Sequence, residues 1–105
     1  MLLDIKGALK IMENVSVDYD RLLKAYQSLW MNRRLWQKDL SSEDILRATI
    51  QRDLHDELTH PRLRKTPYEK FFMASKRIFE SSLPIEDKLH IQRVYLEEME
   101  NVKKM

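Results

Sequence analysis

Gly7 is the only glycine in 105 residues. Folds that turn strands tightly or cradle phosphates use glycine freely, because it alone reaches left-handed backbone at no steric cost. With three scattered prolines and no cysteine beside it, the chain predicts consecutive helices and argues against a βαβ unit, a sandwich or a glycine-rich loop. The length suits one domain spanning residues 1–105, an all-α bundle of about five short helices. A composition of 43% hydrophobic and 34% charged residues fits amphipathic helices and is too apolar for a disordered tail. The absence of cysteine removes thiolate catalysis, cysteine zinc sites and disulfides, and fits the cytoplasm. No apolar run approaches a membrane span, and Asp4 and Lys6 interrupt the start where a signal segment would be apolar, so no membrane partner is expected.

Helix ends are legible in several places. Leu2, Leu3, Ile5, Leu9 and Met12 form one face of a first short helix that stops near Asn14. Asp18 caps a second helix, whose repeat of Tyr19, Leu22, Leu23, Tyr26, Leu29 and Trp30 carries it to about Lys38. Ser41 and Asp44 open a third, with Leu40 stapled to Ile45, and it is expected to continue to about Thr59 before His60-Pro61 ends it. Thr66, Pro67 and Glu69 open a fourth. Its apolar arc is centred on Tyr68 and includes Phe71, Phe72, Ile78 and Phe79, which places Lys70 and Arg77 on the far side. Ser81 and Ser82 break that helix, and Pro84 with Glu86 begins a fifth.

Several groups of residues bear on chemistry. Trp30, Arg33, Arg34 and Trp36 interleave indoles with guanidinium groups, residue types that dominate binding hot spots; they either cap the end of the bundle or contact a partner. Net charge is only +2, but Arg62, Arg64, Lys65, Lys70, Lys76 and Arg77 face a single acid, Glu69, between residues 60 and 77. That segment is a candidate anion or nucleic-acid surface, opposed by an acidic lobe over residues 41–59. His55, Asp56 and His60 are the densest set of potential metal ligands, but the histidines lie five apart where a shared ion needs four, so no metal and no cofactor is implied. The adjacent pairs Asp56/Glu57 and Glu97/Glu98 diverge on a helix and read as solvated charges. Arg47 projects between the directions of Leu54 and Leu58, its stem covering the apolar stripe or its charge joining an ion pair.

The last helix carries a near-heptad seam through Ile85, Leu89, Gln92, Leu96, Met99 and Val102, widened by Ile91, Val94 and Tyr95. Such a helix is either central in the bundle or shared with a second copy. No catalytic constellation emerges, so the sequence predicts a non-enzymatic adaptor or regulator that docks on another protein. Its contacts are Trp30, Arg33, Arg34 and Trp36, with a homodimer through Ile85, Leu89, Leu96, Met99 and Val102. The alternative is a helical nucleic-acid binder using residues 60–77.

Overall fold

A computed structural model describes residues 17–30 and 39–103 of the chain. Four α-helices succeed one another: α1 (Tyr19–Trp30), α2 (Ser42–Leu54), α3 (Pro67–Glu80) and α4 (Ile85–Lys103), with a 3-10 turn at Pro61–Leu63. There is no strand among the described residues, and the architecture is an all-α bundle. The first predicted helix and the continuation of the second beyond Trp30 lie outside the described residues.

Each predicted cap is in place. The Asp18 carboxylate accepts the Arg21 N–H at 3.2 Å. Ser41 Oγ accepts from Asp44 N–H at 3.1 Å, and Thr66 Oγ1 from Glu69 N–H at 3.2 Å with Pro67 following. These bonds satisfy amide donors that a first turn leaves open. Helix α2, by contrast, ends at Leu54 and not near Thr59. Asp56 adopts φ 52°, a left-handed conformation that aspartate tolerates. The amides of Asp56 and Glu57 then turn back onto the carbonyls of Asp53 and Arg52, closing the helix as a Schellman cap.

Helices α2 and α4 each pack against all three of the others and together form the centre of the bundle. The core gathers Leu22, Leu23 and Tyr26 from α1, Ile45, Leu46, Ile50 and Leu54 from α2, Ala74 and Ile78 from α3, and Ile91, Val94, Tyr95 and Met99 from α4. Central packing therefore accounts for most of the wide apolar arc of the last helix. Met99 belongs to the core, Leu96 and Val102 are half-buried, and of the predicted dimer seam only Ile85 and Leu89 stand exposed.

Helix α3 departs from its predicted face. Phe72 is 68% exposed and Phe79 58%, Tyr68 is exposed as well, and the residues that reach the core are Ala74 and, from the predicted arc, Ile78, with Phe71 half-buried against it. One edge of the apolar arc read from the sequence, Phe71 and Ile78, is the side that is buried, while its centre and other edge, Tyr68, Phe72 and Phe79, face outward. Helices α2 and α4 lie against the neighbouring side, roughly 100° away, where small Ala74 permits close approach. Lys70, expected on the solvated face, is half-buried there.

Candidate interaction surface

Helices α3 and α4 are antiparallel across the short link Ser81–Pro84, as two cross-contacts show. Gln92 Nε2 donates to Ser75 Oγ at 2.9 Å, and Lys88 Nζ donates to the Phe79 carbonyl at 3.1 Å, so the partner number rises as the other falls. Ser75 and Gln92 mark the outer edge of the buried seam. Moving outward around α3 from Ser75, the next positions are Tyr68, Phe79 and Phe72, grouped within about 40° of arc. Moving outward around α4 from Gln92, they are Ile85, Leu96 and Leu89, grouped just as closely. The two rows turn to the same side of the hairpin and make one apolar face, with Tyr68, Phe72, Phe79, Ile85 and Leu89 all exposed. Periodicity located both rows in the sequence. It carried no signal that the α3 row faces outward, since that depends on which side its neighbours cover.

The structure does not bring the six predicted cations into one stripe. Arg62, Arg64 and Lys65 sit in the loop before α3, where the Arg64 guanidinium donates to the carbonyls of Thr59 at 2.9 Å and Glu57 at 3.2 Å. Lys70 turns to the acidic lobe, 3.2 Å from Asp53 and 3.6 Å from Asp56. Lys76 and Arg77, together with Lys70, line an open cleft of about 770 Å³ between α3 and the end of α1, with Ser28, Leu29, Asp53 and Met73 also among its walls. The side chain of Trp30, and Arg33, Arg34 and Trp36 entirely, lie outside the described residues. His55 caps α2, and the Nδ1 of His60 accepts the Arg62 N–H at 3.2 Å. Among the described residues no group of three histidine or acidic side chains is placed to hold a metal ion.

Arg47 is the centre of an ion-pair cluster. Its Nε donates to Glu43 at 2.9 Å and its terminal nitrogens donate to Glu97 and Glu98 at 3.0 Å each. Glu97 and Glu98 therefore converge on one guanidinium, contrary to their expected divergence into solvent. Residues adjacent on a helix do point about 100° apart, but the forked guanidinium offers donors in several directions and meets both. Glu98 is further held by Gln51 at 2.8 Å and Asn101 at 3.3 Å. Burial alone would weaken the charge on Arg47, yet the three carboxylates hold its pKa well above the ordinary value.

A second polar system crosses the core. Tyr26 and Tyr95 pair through their hydroxyls at 3.2 Å, Tyr95 donates to Asp53 at 2.9 Å, and Asp53 meets Lys70. Burial pushes both phenols up. Lys70 leads on to Asp56, which also accepts the Lys65 N–H at 2.9 Å and the Thr59 hydroxyl at 2.8 Å. The Lys65 amide, then Thr59, then the Lys70 charge hold the Asp56 carboxyl below its ordinary value of 3.8. A lowered carboxyl pKa stabilises the fold above the unfolded-state pKa and loses that contribution as pH falls through the folded-state one. Asp56→Asn, which tolerates the same backbone, is accordingly expected to lower the thermal midpoint by several degrees at neutral pH. The gap from the parent protein, followed by circular dichroism, should close as pH drops below 3.8; a gap that stays constant would mean that the carboxylate charge contributes nothing.

Together these features define an all-α bundle whose charged side chains tie its helices to one another and which carries a row of exposed apolar side chains on the outside of one hairpin. The chain belongs to the YoyC family, whose model matches residues 17–105. It is 41% identical over 88 residues to the protein YoyC of Bacillus subtilis (strain 168), an alignment that covers 83% of this chain and 92% of that one. No solved structure matches it.

Proposed function

We propose that this chain is a non-enzymatic interaction module, an adaptor or regulator, and that its α3–α4 face docks on a second copy of itself. The observation that carries the reading is the exposure of Tyr68, Phe72, Phe79, Ile85 and Leu89 on one side of one hairpin. Five such side chains, each more than two-fifths exposed, present on the order of 600 Å² of largely apolar surface. That is the upper end of what monomers leave open, and with its polar rim it approaches the roughly 800 Å² per partner of a standard interface. A two-fold axis along the hairpin would lay each α3 over the partner's α4 as an antiparallel four-helix layer, the self-complementary arrangement of a closed dimer.

The cysteine-free composition supports a cytoplasmic setting. The nucleic-acid reading loses support from the division of its six cations between the loop before α3 and the cleft, and from the two aspartates that hold Lys70.

Sedimentation equilibrium tests the proposal. The full chain is expected to dimerise in the micromolar range, and Phe72→Asp with Leu89→Asp to remain monomeric with nearly unchanged thermal stability, both positions being exposed. A parent protein that stays monomeric at tens of micromolar, or a variant that still dimerises, would remove the second copy as occupant.

A further inference from the structure

The loop that joins α2 to α3 presents its polarity inward and its apolar side chains outward. Asp56 binds the Lys65 amide and the Thr59 hydroxyl, and Arg64 binds the carbonyls of Thr59 and Glu57, so the loop's shape is set by its own polar groups. None of those bonds needs Leu58 or Leu63. Yet Leu58 is 101% exposed and Leu63 73% exposed. Leu58 is the fourth member of the stripe Leu46, Ile50, Leu54 and Leu58; the Schellman cap at Asp56 carries it out of that row and into water. The same loop carries the exposed cations Arg62, Arg64 and Lys65, with Glu57 the only acid between residues 57 and 65.

We infer that loop 57–65 rests on the surface of an anionic lipid bilayer, with Leu58 and Leu63 entering the interfacial layer and Arg62 and Lys65 lying against lipid phosphates. Two leucines on a projecting loop are buried by a protein partner only where it offers a matching hollow, whereas a bilayer accepts them without a matched relief. Nucleic acid would satisfy the cations and leave the leucines in water. An anionic membrane meets both at once, since juxtaposed basic residues are drawn to its negative surface potential. The net charge of +2 conceals this, because the acids that balance the sum lie elsewhere. No helix among the described residues is long and apolar enough to cross a membrane, so the contact is peripheral. One loop with two leucines holds weakly and reversibly.

The test is co-sedimentation of the full chain with vesicles of phosphatidylcholine and phosphatidylglycerol in equal parts, beside vesicles of phosphatidylcholine alone. Binding to the anionic vesicles is expected to exceed binding to the neutral ones by about tenfold at low salt and to fall as salt is added. Leu58→Ser with Leu63→Ser should lose most of that binding while keeping the parent's thermal midpoint, and Arg62→Glu with Lys65→Glu should lose it as well. The inference is overturned by no sedimentation with either vesicle, by equal sedimentation with both, or by a leucine variant that binds like the parent. It is also overturned if a short DNA duplex competes the protein off the vesicles through the same cations and binds the leucine variant undiminished.

Discussion

Ile78→Ala is expected to remove about 3 to 4 kcal/mol of folding stability, while Phe72→Ala and Phe79→Ala, larger truncations on the same helix, each remove less than about 1 kcal/mol. Ile78 has no exposed surface and sits in the common core with Leu54 and Tyr95, so its shortening leaves a cavity that packed neighbours fill only in part. The two phenylalanines keep most of their area in water in the folded chain, and truncation there forfeits little. Urea midpoints read in dilute protein separate the cases. Comparable losses at all three positions would mean that α3 is turned about its axis relative to the arrangement described above, and the proposed docking face would go with it.

Arg47→Ala should cost about 2 to 3 kcal/mol. Removing one partner of a buried ion pair commonly costs 3 to 5, and the lower figure allows for solvent reaching a guanidinium side chain that is 25% exposed. Most of the penalty falls on Glu98, whose side chain is nearly enclosed and would keep a charge with only the amides of Gln51 and Asn101 against it. Adding Glu98→Gln to Arg47→Ala should therefore recover a substantial part of the loss, a coupling that a double-mutant cycle on denaturation free energies reads directly. Strict additivity of the two substitutions would show that the cluster acts as separate surface charges.

The elements that could be read from the sequence were those decided by adjacent residues. Ser41 and Thr66 act on amides three positions ahead, and Pro67 sets its own backbone angle, so no distant contact is required to place those helix starts. Fold class followed from the same local signals together with the missing glycines. The candidate surface was only half legible. Periodicity marked Tyr68, Phe72 and Phe79 as one row, but whether a row is core or surface is decided by the side that α2 and α4 occupy, and that information lies in other helices. The end of α2 was missed because Asp56 carries a weak version of a signal that glycine or asparagine gives strongly. The convergence of Glu97 and Glu98 was invisible for a different reason: it requires knowing that Arg47, on another helix, lies between them.

The linked side chains of Tyr26, Tyr95, Asp53 and Lys70 come one each from α1, α4, α2 and α3, so a single polar thread passes once through every described helix. Apolar contacts tolerate sliding: a helix can rotate some tens of degrees about its axis and still bury leucine against isoleucine. The buried hydroxyl partners do not, because a displaced donor leaves an unsatisfied group in a dry interior, while the ion pair of Asp53 and Lys70 at the cleft's edge favours the same setting. The thread therefore works as an angular key that assigns each helix one setting about its own axis. It also determines which side chains are left outside, so the outward position of Phe72 and Phe79 follows from bonds made on the opposite side of the same helix.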